Sequence, residues 1–544
     1  MKTYGIFTAF SPNTRFDTEG LGRYLATFVK AAADRGDVRI ALACPSWSRK
    51  DIRTLLANFD VPPESYEFVG PSRQPVALLV RNMLKRRRKK KKATRGRLRL
   101  VKDAARKVVH HFRTVLGVFL ASRNILFMAA IGLYLLLAAL IALPIVFVGL
   151  AAASVVLGIQ LLVFRAQKLM DPHLPKARKW LERRAGRFDL RYVTAGVFRS
   201  MLQQEMKQII DRAKRRSDIV AWYAPTAIWP EVHQLTAPKL ICVPDMVISE
   251  FPVAFALDGE QLRLTFEAVQ RTLYEPAHFV TYSERTKWEV VVQRHGVSPK
   301  CVSVVPHAVN DLSGHLAISG FPNIEETAQN YKERLLSLAV LDRARYFVPG
   351  AVKVDFKYIF YASQFRPSKN VITLLRAFRE LHHRRRFGHK LILTGDPALA
   401  PDIKQFVLDN NLHSDVLFLS GLETRELAAA YSLAELAVNP SLSEGGMPFT
   451  FTEALSVGTP VVMADIDVTR EVLTDPEVLN ATVFDPYDWR ALADKIQWAL
   501  GNSDALLAQQ RAFYDRHLSG RSWVNVVDEH FDLLDKLAAG ELTQ

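Results

Sequence analysis

Four charged side chains stand where an α/β chain can do chemistry. Lys369 and Arg366 lie in SQFRPSKN (Ser363–Asn370), and Glu444 and Glu453 lie in NPSLSEGGMPFTFTEALSVGTPVV (Asn439–Val462). The second stretch reads as the end of a buried strand and a Gly-rich turn carrying Glu444. A helix then opens near Pro448 to Thr452 and carries Glu453 in its first turn, before a turn at Gly458 and another apolar strand. Gly445 and Gly446 allow close backbone approach to a ligand. The free N–H groups at the helix start favour an anion. A carboxylate in the turn can accept hydrogen bonds from sugar hydroxyls, and one in the first helical turn can hold a ribose diol. Two cations at a strand–helix turn can neutralise a diphosphate as it leaves. Arg does so through a fork of donors and Lys as a point charge. The bland alternatives are an ordinary strand–turn–helix corner and a solvated turn.

These residues need elements to position them. Around them the chain alternates apolar strands with helices: KYIFYAS, LILTGD (Leu391–Asp396), VLFLSG, a helix over Thr424–Ser432, then the Glu loop. That alternation predicts a parallel, doubly wound sheet, with ligands beyond the carboxyl ends of its strands. Ser363–Asn370 and Glu444–Glu453 both fall at such ends and should face one cleft. The beginning of the chain repeats the pattern: TYGIFTAF as a strand, a helix over Leu21–Asp34, VRIALACP as a second strand. After about Ser217 come DIVAWYAP, KLICVPDMV and HFVTYS as strands, then a helix over Glu284–His295. An amphipathic helix is expected over Val524–Leu537.

The paired Glu residues around a Gly-rich loop resemble the donor site of retaining, family-4-like glycosyltransferases of the GT-B fold (glycosyl transferases group 1). Eight residues separate Glu444 from Glu453, one more than is usual there. SQFRPSKN is similar to the family's Gly-Arg-x-x-Pro-x-Lys segment, with Lys369 matching the Lys, Gln364 at the Arg position and Arg366 two residues on. GLGRYL, with Gly20 and Gly22, resembles the glycine loop of the family's first domain, near the donor phosphates and the acceptor. PDMVISEFP matches a segment that usually reads His-Asp; here Pro244 stands for the His and Asp245 remains. The resemblance implies two Rossmann-like domains facing a cleft. It implies transfer from a nucleotide-diphosphate sugar with retention, without a metal or other cofactor. Lys369 and Arg366 would hold the phosphates, Glu444 would contact the sugar and Glu453 the ribose, with backbone N–H groups around Gly446 and Met447 serving either. Glu444, Lys369, Arg366 and Asp245 are the expected catalytic set. Gly20, Gly22, Gln364, Gly445, Gly446, Met447 and Glu453 are the expected donor contacts. Asp465-Ile466-Asp467 spells a DxD but reads as a loop. Glu471 is expected to be structural or at the donor rim, and His307 to be a satisfied loop histidine or a substrate contact.

The 544 residues are too many for one ordinary core. The expected division is 1–72 with 217–345 as the first domain, 73–216 as an insertion, 346–515 as the second domain and 516–544 as a helix crossing back. Cys44, Cys242 and Cys301 are far apart, which suggests buried thiols in a reducing compartment. MKTYGIFTAF reads as a strand, not a signal peptide.

The net charge of +17 belongs largely to one region. Seventeen Lys or Arg against one acid, Asp103, fall between Arg81 and Arg123, and ten against three acids between Arg165 and Arg199. The rest of the chain is mildly acidic, which argues against a general nucleic-acid-binding protein despite KRRRKKKK (Lys85–Lys92). Between the basic blocks, Ile125–Phe164 carries no charge in forty positions. As one helix it would be about 60 Å long, about twice a bilayer core. Two membrane helices turning near Pro144, with both flanks cytoplasmic, fit better; a shorter hairpin dipping into one leaflet is the variant left open. The basic flanks would rest on anionic lipid. The expectation is a cytoplasmic-face enzyme of the inner or an equivalent membrane, acting on a lipid-linked or membrane-proximal saccharide acceptor in surface polysaccharide assembly. The alternatives are a glycolipid synthase and a catalytically idle scaffold of a polysaccharide complex.

Overall fold

The computed structural model describes residues 1–12, 14, 20–75, 78, 115, 117, 119, 120, 122, 124, 126–136, 190–251, 260–343 and 355–543. Two fully parallel sheets organise them. The first takes β1 (Lys2–Phe7), β2 (Val38–Ala43), β3 (Tyr66–Val69), β4 (Ile219–Ala224), β5 (Lys239–Val243), β6 (His278–Thr281) and β7 (Val302–Val304) in the order β3-β2-β1-β4-β5-β6-β7. The second takes β8 (Tyr358–Tyr361), β9 (Lys390–Leu393), β10 (Val416–Phe418), β11 (Leu436–Asn439), β12 (Val461–Ala464) and β13 (Val483–Phe484) in the order β10-β9-β8-β11-β12-β13. The strands read as apolar runs without alternation because helices cover both faces. Tyr358–Tyr361 and Leu436–Asn439, for example, are buried at every position. Strand order reverses between β1 and β4, and again between β8 and β11. Such reversals open a crevice beyond the carboxyl ends of the strands. This is the two-domain GT-B-like arrangement that the sequence led us to expect.

Several local readings need adjustment. The first helix runs Gly20–Arg35, so Gly20 and Gly22 lie in its first turn and not in a loop ahead of it. Thr286–Arg294 is wound as a π-helix, wider than the α-helix expected over Glu284–His295. The first core also takes in Ile209, Ile210 and Ala213 of the helix Leu190–Ala213, ahead of the resumption expected near 217.

The closing helix, Trp523–Ala538, returns to the first domain. Ser522 and Asn525 cap it reciprocally. Val526, Val527, Phe531, Leu534 and Leu537 are buried against the helix Gly20–Arg35 and strands β4 and β5, at about 1.5–3 kcal/mol per large apolar side chain. Phe531 stacks on Tyr4 at 4.3 Å. Lys2 and Tyr4 both reach Asp535, and Arg35 reaches Asp528.

The chain between β3 and β4 packs into a small separate cluster. Trp47, Leu78 and Met201 are buried together, with Leu120, Phe198 and Leu202 against them. Gly117 lies so close to Ser200 that a Cβ there would meet the Ser200 Cβ at 2.9 Å. The Trp47 indole donates to the Phe10 carbonyl just beyond β1. The two arms of the insertion therefore meet at one place, beside the carboxyl ends of β1 and β2. Residues 126–136 are helical, with Leu126, Phe127, Leu133, Tyr134 and Leu136 exposed. Among the described residues no helix is long and apolar enough to cross a membrane. Most of the expected hairpin, and both halves of its proposed turn, lie outside the described residues.

Candidate active site

The second sheet's reversal places two loops side by side. After β8 the chain passes Ser363, Gln364 and Phe365 into a single 3-10 turn, Pro367–Lys369. Asn370 adopts a left-handed backbone at φ 52° and starts the helix Val371–Arg379. Its side chain is fixed by donating to the Pro486 carbonyl and accepting from Thr373. After β11 comes Ser441–Pro448, and the Leu442 amide donates to the Ser368 carbonyl at 2.8 Å. The Tyr361 hydroxyl, at the end of β8, reaches Ser441 at 3.1 Å and the Lys369 carbonyl at 3.4 Å.

The two loops thereby hold Lys369 Nζ 2.5 Å from Glu444 Oε1. Burial opposes the Lys369 charge, but Glu444 and Asp245 outweigh it and hold the ammonium above its usual range. Arg366 lies on the same turn, with its guanidinium 3.5 Å from the Gln364 side-chain oxygen. Across the cleft, Asp245 follows β5 of the first domain and opens to solvent. Its carboxyl is raised by the desolvating walls around it and by Glu444, while Arg366 and Lys369 pull it down. Lys369, Arg366, Glu444 and Asp245 thus share one electrostatic neighbourhood.

The glycines do something other than expected. A Cβ on Gly445 would overlap the Pro244 carbonyl oxygen. The close approach is to the first domain's backbone, not to an open ligand space. The Gly445 carbonyl accepts from Ser283 at 2.8 Å and Thr286 at 3.1 Å. Gly446 packs on Tyr282 and on the imidazole of His307. His307 is held near Phe449 at 4.5 Å, and burial drops its pKa to about 4, so it is neutral at pH 7. Met447 packs against the core on the other side of the loop.

Glu453 also differs. The helix spans Phe449–Ser456, so Glu453 is in its second turn. Its carboxylate is buried and engaged by two first-domain groups, Arg23 at 3.4 Å and the Asn310 amide. Glu471 accepts from the amides of Glu284 and Arg285 at 2.8 and 3.1 Å, which joins the domains at the start of the π-helix. Asp465 is taken up by Arg470, and Asp467 begins the helix Asp467–Val472, 3.5 Å from Arg285. Among the described residues no three side chains are grouped as metal ligands.

Arg23, Asn310, Glu250, Ser283 and Thr286 were not singled out from sequence. Each lies inside or beside a recognised segment: GLGRYL, VVPHAVN, PDMVISEFP and TYSERTKWEVV. The signal was present in the segment, but its direction depends on the partner domain.

Residues 342–515 match the Glycosyl transferases group 1 family. Over 108 residues the chain is 35% identical to the O-antigen chain mannosyltransferase RfbU of Salmonella typhimurium, covering 20% of this chain and 30% of that protein. Over 175 residues it is 28% identical to the GDP-mannose-dependent alpha-(1-6)-phosphatidylinositol monomannoside mannosyltransferase of Mycolicibacterium smegmatis, covering 31% and 43%. The chain therefore spans less than half the length of either relative. Among solved structures it is similar to Anabaena HepE in complex with UDP-glucose, with a TM-score of 0.51, 12% identity and coverage of 98% and 100%. That likeness concerns the fold.

Proposed function

We propose that the protein is a membrane-bound glycosyltransferase. It moves a sugar from a nucleotide-diphosphate sugar, with retention and without a metal, to a lipid-linked or membrane-proximal acceptor in surface polysaccharide or glycolipid assembly. The observation that carries this reading is the Lys369–Glu444 pair at the strand-order reversal of the Glycosyl transferases group 1 domain. A cation there faces a departing diphosphate, and the carboxylate beside it faces the transferring sugar. Arg366 adds a second cation, and the helix Phe449–Ser456 presents its amide end. The relatives' printed activities on O-antigen and phosphatidylinositol mannoside are consistent with lipid-linked acceptors.

Attachment at the cytoplasmic face is part of the proposal. The exposed apolar side chains of residues 126–136, the uncharged stretch that continues from them and the cationic flanks support a hairpin in the bilayer. Its root beside the ends of β1 and β2 would hold the cleft near the lipid surface. One observation favours an idle scaffold instead: Glu453 is already occupied by Arg23 and Asn310. The deciding experiment is a donor screen with the full chain in anionic liposomes, reading free nucleoside diphosphate. Turnover that vanishes in Lys369→Ala supports the transferase. No turnover with any nucleotide sugar, in the presence of lipid-linked acceptors, supports the scaffold.

A further inference from the structure

A second recess opens between the domains, beyond the carboxyl ends of β12 and β13 and away from β9 and β10. Its volume is about 340 Å³, at the lower end of the range for small-molecule sites. Glu250, Phe251 and Arg294 line it from the first domain, and Ser443, Asp467 and Tyr487 from the second. No residue of the Lys369–Glu444 pair lines it, but Ser443 immediately precedes Glu444 and donates to Glu250. The recess therefore begins one residue from the proposed transfer centre.

We propose that this recess binds a short neutral saccharide, the sugar end of the acceptor. Three features select that class. First, the exposed ring of Tyr487 forms one wall of the recess. A ring of this kind offers an apolar platform with a polar edge, which suits the C–H face of a pyranose. Second, polar groups face the recess: the Asp467 carboxylate is 63% exposed and can accept from hydroxyls, while Arg285, held between Glu250, Glu289 and Asp467, fixes the wall behind it. Arg294 spends one donor on the Ser249 carbonyl and presents the rest of its fork nearby. Third, the lining does not favour an anion. It carries three carboxylates, Glu250, Asp465 and Asp467, against two guanidiniums, Arg285 and Arg294. A phosphate or uronate would meet more repulsion than attraction, whereas hydroxyls can donate to the carboxylates and accept from the guanidiniums. The assignment of this saccharide as the acceptor rests on the transferase reading; the binding itself does not.

The test uses the full chain in detergent on an array of defined bacterial oligosaccharides, with titration calorimetry on any glycan retained. UDP and GDP are titrated in parallel. The wild-type chain is expected to retain at least one neutral glycan. Tyr487→Ala should weaken that binding about tenfold, the equivalent of an aromatic contact of roughly 1.4 kcal/mol, while Tyr487→Phe should keep it and nucleotide binding should not change. Retention of only anionic glycans, retention of none, or unaltered binding by Tyr487→Ala would overturn the proposal. Glycan binding without any nucleotide binding would leave the recess standing and remove the transferase reading instead.

Discussion

Lys369 Nζ lies 2.5 Å from Glu444 Oε1, and this one contact ties the turn after β8 to the loop after β11 across the reversal in strand order. In the ligand-free chain each group neutralises the other. A bound diphosphate would draw the ammonium toward itself and leave the carboxylate to the sugar. The pair is thus a charge arrangement ready before substrate arrives, which is what makes electrostatic stabilisation effective.

Lys369→Ala should therefore lower kcat by about 10²-fold or more, with a smaller effect on donor KM. Glu444→Ala should fall in the same direction. Thermal melting of both variants separates this from unfolding, because each leaves a partner ion without its neighbour. Unchanged turnover in both variants, in an assay that works for the wild type, would remove the donor site from this cleft.

Glu453 should behave differently. On the proposed reading Glu453 holds the donor ribose in the ground state, so in Glu453→Ala donor KM should rise while kcat changes less. The structure adds a consequence. Arg23 competes for the same carboxylate from a half-exposed position at 3.4 Å. Arg23→Ala should release Glu453 and tighten donor binding by up to about fivefold, the ~1 kcal/mol of a loose ion pair whose cationic partner is a third exposed. Calorimetric titration of the two variants with the working donor checks both signs; weaker binding by Arg23→Ala would mean that Arg23 itself holds the donor.

Gly445→Ala tests the seam. The new methyl would overlap the Pro244 carbonyl, a backbone group that cannot swing aside as a side-chain end can. The domains must separate locally, and the bonds from Ser283 and Thr286 to the Gly445 carbonyl must break. A displacement of about 1 Å at a reacting centre costs on the order of 10²-fold. We expect that loss in kcat and a larger radius of gyration by small-angle scattering. Full activity with an unchanged radius would show that the closed seam is dispensable.

How far these features were legible in the sequence depends on their range. Lys369 and Glu444 could be paired because each follows an apolar strand of one parallel sheet, and strand ends converge by topology alone. The tail helix was legible from its apolar face, since Val526, Val527, Phe531 and Leu534 repeat at helical spacing. The role of Gly445 was not. Its reason is Pro244, some two hundred positions away and in the other sheet, and no local pattern encodes that encounter. Glu453 was placed one turn early because the expected start spans a full turn, Pro448 to Thr452, and the helix begins at its near end, Phe449; its partners Arg23 and Asn310 come from the first domain. The π-winding of Thr286–Arg294 has the same apolar periodicity as an α-helix over so short a span.

Membrane attachment gives a separate prediction. Buried apolar helices resist salt, whereas surface charge is screened by it. The full chain should stay with membranes through molar salt and alkaline washing. Removing residues 125–164 should leave attachment that salt reverses, through the cationic flanks alone. Quantitative release of the intact chain by salt would exclude the hairpin.

The tail helix should make the first domain acid-sensitive. His530 is fully buried against Phe28 and Tyr223, and burial lowers its pKa from 6.5 to about 4. Its Nδ1 is 2.7 Å from the Val526 carbonyl, so the Nδ1–H tautomer donates there and Nε2, which has no partner, carries the lone pair. Protonation would place a charge and an unmet donor in an apolar core. Between pH 6.5 and pH 4 the unfolded chain binds the proton that the folded chain refuses, so stability rises with pH through this window and is lost as pH falls. His530 alone should contribute roughly 2 kcal/mol of destabilisation at pH 5 relative to pH 7. His307, also lowered to about 4, adds to the same slope. His530→Leu keeps the apolar volume and removes the titrating group. Urea unfolding at pH 7 and pH 5 should find the variant losing less stability than the wild type over that interval. Equal losses in the two proteins would mean that the tail helix undocks before its histidine titrates.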